Sequence, residues 1–342
     1  MRSFEKGKVS IITPCYNGGR FLNRYFDALC KQTYDNVELI FVNDTRSSDN
    51  SEKICLSWKS TVEKRGYEFR YILQKKFRGV AGAINEGLPY VTGEFLIWPD
   101  CDDPLMPASI EKRVDFLTLH PDYAMVRSGY VSVNENNPEI IIGRDSDYSA
   151  DGKNEDIFDD LVFDKTFPMP GSYMVRSSVF FERIPKGEIY WENGGGQNWQ
   201  ILLPCSYKNK TGFIDEPLYT YYYHPDSHSN RIEGDEYSSL NRRMSRYREI
   251  LFHVINDFDL LSDDERTDYL RRIDIKYMLK RLGLALLYNK SEDAMAEMQK
   301  LRDMNFNPGI QRKILCHLCY FGLSGFYLKG YLLMYRFYRR IR

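Results

Sequence analysis

The stretch Ile97-Trp98-Pro99-Asp100-Cys101-Asp102-Asp103-Pro104 places three carboxylates within four residues. It overlaps the apolar run from Phe95 to Trp98, which we interpret as a short buried strand that Pro99 ends. At the carboxyl end of a central strand in an open α/β sheet, side chains lie where ligands bind, and carboxylate oxygens are ligands that Mg²⁺ and Mn²⁺ prefer. A diphosphate would supply the remaining oxygen ligands. The alternative is an acidic turn that binds nothing, because Asp and Pro both favour turns.

The first half of the chain alternates short apolar runs with amphipathic segments, which predicts a parallel sheet flanked by helices. Polar loops follow Thr13, Val42 and Trp98, so we expect a ligand to lie across these loops. The first loop carries Gly18-Gly19 and lacks the GxGxxG spacing of a dinucleotide site. The predicted strands are Val9–Thr13, Val37–Val42, Phe69–Leu73, Phe95–Trp98 and Ala124–Val126, and a helix is predicted from about Gly79 to Tyr90.

Three segments of the sequence resemble glycosyltransferase family 2. They are VSIITPCYNGGRFLNRYFDALCKQTYDNVELIFVND, GVAGAINEGL and GEFLIWPDCDDPLMPASIEKRVDFL, and the resemblance covers about residues 8 to 130 and resumes around 190 to 230. The resemblance implies the GT-A fold, an α/β architecture in which a mostly parallel, Rossmann-like sheet is flanked by helices. It also implies a donor half at about 1–130 and an acceptor half at about 131–235. The sequence pattern of the remaining residues, 236–342, predicts a C-terminal helical region.

The resemblance implies a nucleotide site on the first two loops. Asp44 would accept a hydrogen bond from uracil or its equivalent, whereas its alternative role is a cap for the following helix. The loop Asn43–Asp49 is one residue longer than the common Asp-Gly-Ser-Thr-Asp and carries Arg46, which leaves the base preference open. The residues expected against the base are Thr13, Pro14 and Tyr16.

The resemblance also implies roles for the acidic stretch. Asp103 is expected to bind Mn²⁺ or Mg²⁺ directly with Asp102 beside it, and Asp100 is expected at the donor ribose or behind the metal ligands. The cation would offset the diphosphate charge and stabilise the departing nucleoside diphosphate. His224 matches a histidine near the diphosphate or its metal, although a lone histidine among tyrosines is often a packed, hydrogen-bonded residue.

A glycine-rich segment provides a further donor contact under the resemblance. Gly79, Gly82 and Asn85 match a helix entry that lets the backbone approach the donor. Tight packing of a helix on the sheet would explain the glycines equally well.

The catalytic base is where the sequence departs from the family. Inverting members usually carry Glu-Asp before an amphipathic helix, and this chain has Gln197 and Asn198 there. A neutral amide cannot act as a general base. Glu192 could replace it, the amides could hold an acceptor whose own acidic hydroxyl or phosphate oxygen supplies the base, or the protein could bind nucleotide sugar without turnover.

The C-terminal region changes to helical patterns from about Ser239. Ser262-Asp263-Asp264-Glu265 predicts a capping box, and the segment from Met304 to Arg342 contains no Asp or Glu. The apolar, aromatic segment Ile314–Tyr335 is followed by several arginines, which favours a helix lying in the interface of an anionic membrane. A partner interface and plain core packing are the alternatives.

Composition limits the remaining function classes. With 47 basic and 48 acidic residues the chain is nearly neutral, so a nucleic-acid partner is not expected. The N-terminus runs into a strand without an apolar signal region, so we expect a cytoplasmic protein, peripheral to the membrane. The seven cysteines are irregularly spaced, which fits reduced thiols.

Together these features predict a metal-dependent, inverting transfer of a sugar from a nucleoside diphosphate, with uridine favoured, to a saccharide or lipid-linked acceptor in surface polysaccharide synthesis. The alternative is a catalytically silent nucleotide-sugar-binding subunit that anchors a partner transferase at the membrane. A nucleotidyltransferase would also use a metal at a strand end, but it does not account for the order of the loops.

Overall fold

A computed structural model describes residues 2–75, 78–144, 154–191, 196–224, 232 and 234–329. The chain divides into two compact units, Met1–Asn230 and Arg231–Arg342. The boundary expected from the sequence, between residues 235 and 236, remains a prediction.

The described residues of the first unit form a mixed sheet of eight strands. Its order is β3-β2-β1-β4-β7-β5-β6, and β8 pairs with β5. Neighbours among β1 to β4 are parallel, as are β5 and β8, whereas β7 is antiparallel to β4 and β5. The strands are β1 Glu5–Cys15, β2 Val37–Asn43, β3 Glu68–Leu73, β4 Gly93–Ile97, β5 Tyr123–Asn134, β6 Asn137–Arg144, β7 Tyr173–Arg176 and β8 Lys210–Tyr223.

Helices connect most consecutive strands of the first unit, whereas β5 passes directly into β6. Every residue of β2 is buried, which its nearly continuous apolar sequence predicts for a central parallel strand covered on both faces. Short 3-10 turns at Leu88–Tyr90 and Pro170–Ser172 complete the connections. The helices are α1 Gly19–Cys30, α2 Ser51–Lys64, α3 Gly79–Gly87, α4 Ser109–Leu119, α5 Phe158–Val162, α6 Ser177–Arg183 and α7 Gln197–Ser206.

The bounds of the predicted elements shift in the structure, and two of these shifts have a clear physical reason. The strand expected at Ala124–Val126 is the start of the twelve-residue β5, whose later part pairs with β6 and β8. The helix expected from Gly79 to Tyr90 ends at Gly87, and Pro89 lies in the 3-10 turn that follows. Proline removes a backbone donor and ends regular helical hydrogen bonding, which accounts for the shorter helix.

The second unit is helical in its described part. Its helices are α8 Glu236–Asn256, α9 Asp263–Leu287, α10 Ser291–Asp303 and α11 Ile310–Tyr320. The predicted capping box at the start of α9 is confirmed, because Ser262 and Glu265 each accept the other's backbone N–H. Ile275, Leu282 and Leu286 of α9 lie in one apolar cluster with residues of α10 and α11. Among the described helices, none is both long enough and apolar enough to cross a bilayer.

Candidate active site

The acidic loop after β4 brings its three carboxylates together. One oxygen from each of Asp100, Asp102 and Asp103 lies within 4.8 Å of the others. Burial, followed by the charge of Asp102, raises the pKa of Asp100 to about 8 and holds the pKa of Asp103 well above its usual range. The cluster of hard oxygen ligands and this mutual repulsion both fit a divalent cation, which would offset the excess negative charge.

Asp103 is the innermost of the three acids. Its Oδ2 accepts the hydroxyl of Tyr219 at 2.8 Å, and its Oδ1 accepts the backbone N–H of Tyr222 at 2.7 Å. Both tyrosines belong to β8, which also hydrogen-bonds the backbone on either side of Leu105. Asp103 therefore fixes the acidic loop to β8 with both of its oxygens.

Asp102 is more accessible and lies beside His224. Nε2 of His224 is 3.1 Å from Oδ2 of Asp102, and Nδ1 is 3.4 Å from Nη2 of Arg20. A guanidinium group only donates hydrogen bonds, so this arrangement assigns the acceptor role to Nδ1 and the proton to Nε2. In that tautomer His224 donates to Asp102 and orients its carboxylate, as residues behind a metal ligand commonly do.

Besides Arg20, helix α1 carries Arg24, whose guanidinium group contacts the acidic loop. Nη2 of Arg24 donates to the backbone oxygen of Asp102 at 2.6 Å, and its guanidinium lies 3.6 Å from the centroid of the Tyr222 ring. Arg20 and Arg24 are one helical turn apart, so both reach the same edge of the sheet. Neither arginine is among the site residues expected from the sequence, although two arginines four residues apart directly after the first loop are a signal that could have identified them.

The first two loops are joined by hydrogen bonds. The backbone N–H of Asp44 donates to the oxygen of Cys15 at 2.8 Å, Asn17 N–H donates to Ser47 Oγ at 3.1 Å, and Ser48 N–H donates to Asn17 Oδ1 at 2.8 Å. The alternative role of Asp44 as a helix cap is wrong, since its Oδ1 accepts the N–H of Arg46, while α2 begins after Asn50. Asp44 thus belongs to the loop pair at the strand end and not to α2.

Of the three residues expected against the base, one is exposed. Tyr16 is 55% exposed, whereas Thr13 is fully buried and its hydroxyl pairs with that of Tyr25. Pro14 is buried within β1, where it pairs with Val42. Of these three residues, Tyr16 therefore offers an exposed ring that a base could contact.

Asn85 holds the chain before the acceptor segment. Its side-chain amide donates to the oxygen of Ile189 at 2.7 Å and accepts the N–H of Ile189 at 2.8 Å. Both polar atoms of the amide are therefore hydrogen-bonded to Ile189. A contact between Asn85 and the sugar donor remains a prediction. Gly79 starts α3 with φ +65°, a left-handed conformation that favours glycine.

The amide pair lies at the start of α7. Asn198 Oδ1 accepts the indole N–H of Trp98 at 2.9 Å, which joins α7 to the end of β4 just before the acidic loop. Gln197 is buried. Glu192, the base candidate, lies outside the described residues.

The sequence of the first unit matches a known family. The model of glycosyl transferase family 2 matches residues 10–181, which is half of the chain. The chain belongs to glycosyltransferase family 2. An uncharacterized glycosyltransferase of Rickettsia conorii is 29% identical over 188 residues, and glycosyltransferase GlyG of Streptococcus pneumoniae is 27% identical over 231 residues. These matches cover 53% and 62% of this chain, and 30% and 70% of the respective relatives, so the chain spans about a third of the first relative's length.

Solved structures confirm the predicted GT-A fold of this family 2 chain. Residues 1–349 of Staphylococcus aureus TarS, in complex with UDP-GlcNAc, have a TM-score of 0.61 at 14% identity, covering 94% of this chain and 92% of that one. Mannosyltransferase PcManGT from Pyrobaculum calidifontis, in complex with GDP-Man and Mn²⁺, has a TM-score of 0.60 at 16% identity, covering 97% and 82%.

Proposed function

We propose that this protein is a metal-dependent glycosyltransferase that moves a sugar from a nucleoside diphosphate, with UDP favoured, to a hydroxyl of a saccharide or lipid-linked saccharide. The observation that carries the proposal is the convergence of three carboxylates at the end of β4, beside the hydrogen-bonded pair of loops that contains Asp44. Membership of family 2 supports it. The expected outcome at the anomeric carbon is inversion, and the expected pathway class is surface polysaccharide assembly.

We propose Asp102 and Asp100 as the residues that hold Mn²⁺ or Mg²⁺. Asp103 was the direct ligand expected from the sequence, but its two hydrogen bonds to β8 suit a residue that positions the loop. His224 would orient Asp102 through the hydrogen bond to Oδ2 and need not bind the metal itself. The bound cation would supply Lewis-acid stabilisation of the departing diphosphate.

Arg20 and Arg24 would support the same leaving group. Both guanidinium groups lie at the edge where the acids converge, and arginine retains its charge throughout the physiological pH range. Arg24 is fixed by Asp102 and by the ring of Tyr222, so it would act mainly on the local potential. Arg20 is half-exposed and can reach an incoming anion.

We propose Glu192 as the general base that takes the proton of the acceptor hydroxyl, because the amides of Gln197 and Asn198 cannot take it. Glu192→Gln should lower turnover about a hundredfold or more and leave donor affinity nearly unchanged. Unchanged turnover would remove Glu192 from the mechanism.

We also propose that the second unit associates with the surface of an anionic membrane on its cytoplasmic side. Ile310, Ile314, Tyr320, Phe321 and Phe326 are all exposed, and the basic residues Arg312, Lys313 and Lys329 lie among them without an acidic neighbour in the sequence. Exposed aromatic side chains with basic neighbours are typical of segments that lie in a lipid interface.

The proposed activity can be tested by UDP release from a panel of UDP-sugars with Mn²⁺, comparing the wild type with Asp102→Asn. Release by the wild type alone would support a metal-dependent transferase and identify the donor. If no UDP-sugar releases UDP, with or without a saccharide or lipid-linked acceptor, the proposal that UDP-sugars are the donors fails.

A silent nucleotide-sugar-binding subunit is the second candidate. Asn198 favours it, because the residue at the expected base position is an amide already bonded to Trp98. This candidate predicts Mn²⁺-dependent UDP binding without turnover by any acceptor.

A further inference from the structure

The loop pair on the first unit presents a rigid surface at the end of β2. Besides the hydrogen bonds that join the two loops, Gly19 N–H donates to Asp49 Oδ2 at 2.8 Å. Ser47 is held in turn by Asn43, whose Oδ1 accepts its hydroxyl at 3.0 Å. These hydrogen bonds hold the backbones of the two loops together.

Tyr16, Arg46 and Asp44 lie together on that surface. The Arg46 guanidinium is 5.3 Å from the centroid of the exposed Tyr16 ring. Its Nε is 3.6 Å from Asp44 Oδ1, and the Asp44 carboxylate is almost completely buried. The surface thus combines an aromatic face with a hydrogen-bond acceptor, Asp44, directly beside a hydrogen-bond donor, Arg46.

An acceptor beside a donor is complementary to a particular base edge. Uracil and guanine present a ring N–H next to a carbonyl oxygen, so the N–H can donate to Asp44 while the oxygen accepts from Arg46. Cytosine presents an unprotonated ring nitrogen next to an amino group, and adenine does the same. These two bases would place an acceptor against the buried carboxylate of Asp44 and a donor against the half-exposed guanidinium of Arg46, so both contacts would be repulsive.

We infer that Arg46 is a specificity-determining residue that, together with Asp44, selects donors whose base carries an N–H next to a carbonyl, uracil or guanine, over cytosine and adenine. The inference rests on the proposed function, since it concerns the donor of that same site. It assigns a role to Arg46, the basic residue of the longer second loop. The exposed ring of Tyr16 would support the base through stacking and does not discriminate among bases.

The test compares the affinities of UDP and CDP, which differ only at this base edge. In excess Mn²⁺, calorimetry should show the wild type binding UDP at least about tenfold more tightly than CDP. Arg46→Met should reduce that ratio about tenfold, because it removes the donor and keeps a long side chain. The charge that is lost affects the diphosphate of both ligands equally, so the ratio isolates the contact with the base.

Arg70→Met is the matched control. Arg70 lies on β3 and its guanidinium is 4.4 Å from the centroid of the exposed Tyr90 ring, so it repeats the arginine-on-tyrosine arrangement on the same unit. This variant should leave the ratio of UDP to CDP affinity unchanged. Arg46→Lys, which keeps the charge and loses the planar donor group, should lie between the wild type and Arg46→Met.

The outcomes separate the inference from the proposed function. A wild type that binds UDP and CDP equally, or an unchanged ratio in Arg46→Met, would overturn the inference and leave the nucleotide site in place. Failure of the wild type to bind any nucleoside diphosphate in Mn²⁺ would overturn the proposed function, and the inference with it.

Discussion

The indole N–H of Trp98 donates to Asn198 Oδ1 at 2.9 Å and so connects the end of β4 to the first turn of α7. This contact holds Asn198 against a residue that precedes Asp100, the first acid of the cluster, by only two positions. A carboxylate in place of the amide would keep the bond to Trp98, because its oxygen accepts as well as an amide oxygen does. Asn198 can therefore be exchanged for an acid without losing the contact that fixes it.

We predict that Asn198→Asp rescues the loss of Glu192. Glu192→Gln alone should lower turnover about a hundredfold, and adding Asn198→Asp should recover most of the loss by providing a general base at the position usual for the family. Steady-state turnover at saturating donor measures both effects. The control combines Glu192→Gln with Asn198→Leu. If the double variant that carries Asn198→Asp is no faster than this control, the alignment of position 198 with the acceptor is contradicted.

The second prediction separates Asp102 from Asp103. Asp102→Asn should abolish measurable Mn²⁺ binding, whereas Asp103→Asn should weaken it by about tenfold at most, because Asp103 acts through its bonds to β8. Mn²⁺ binding in the presence of UDP, followed by electron paramagnetic resonance, measures both. Equal losses in the two variants would restore Asp103 as a direct ligand.

For stability, alanine substitutions at the same two positions should rank in the opposite order, with the larger loss at Asp103. Asp103→Ala leaves the Tyr222 N–H and the Tyr219 hydroxyl buried without their acceptor, which should lower the free energy of unfolding by about 2–5 kcal/mol. Asp102→Ala removes one partly exposed side chain and should cost about 1 kcal/mol or less. Thermal unfolding of the metal-free proteins checks the order.

The third prediction concerns the pH dependence of stability. Burial and the neighbouring charge of Asp102 raise the pKa of Asp100 to about 8, above its ordinary value in the unfolded chain. Between about pH 4 and pH 8 the folded state keeps a proton that the unfolded state has released, so the contribution of Asp100 to stability falls as the pH rises through this range. The melting temperature of Asp100→Asn minus that of the wild type should therefore increase from pH 4 to pH 8 in metal-free buffer.

Mn²⁺ provides the control for that effect. A cation at the cluster favours the ionised form of Asp100, which lowers its pKa in the folded state and removes the stability loss of the wild type. The difference between the two proteins should then shrink or reverse at pH 8. If the two melting temperatures differ by the same amount at every pH without metal, the raised pKa of Asp100 is contradicted.

Much of the fold could be predicted because its signals are local. The apolar run of β2 and the capping box before α9 each specify an element from a few adjacent residues. The extent of β5 could not be predicted in the same way, since its ends are set by pairing with β6 and β8, which lie far along the chain.

The candidate site shows the same division. The acidic loop was predicted because three carboxylates at a strand end are unusual within one short segment. The inward orientation of Asp103 was not, because it depends on Tyr219 and Tyr222, more than a hundred residues away. The contact of Asn85 with Ile189 could not be predicted for the same reason, since the two residues are 104 positions apart and no local pattern connects them.

The fourth prediction concerns the second unit and anionic membranes. Phe326 is 85% exposed and Tyr327 is 60% exposed, beside the basic Lys329. Inserting two aromatic rings into a lipid interface removes apolar area from water, so replacing both with serine should weaken binding to phosphatidylglycerol vesicles about tenfold or more. Vesicle co-sedimentation at low and high salt measures the loss, and high salt should also weaken the wild type because the headgroup attraction is screened.

Leu119→Ser is the matched control for the aromatic pair. Leu119 is 75% exposed at the end of α4 in the first unit, so its replacement removes an exposed apolar side chain outside the segment that contains Phe326 and Tyr327. It should not change vesicle binding. If the Phe326 and Tyr327 double variant binds as tightly as this control, or if the wild type binds neutral phosphatidylcholine vesicles equally well, the exposed segment does not recognise an anionic membrane. The rings would then be better explained as a contact for a protein partner, because a protein surface can cover apolar side chains without the salt dependence that anionic headgroups impose.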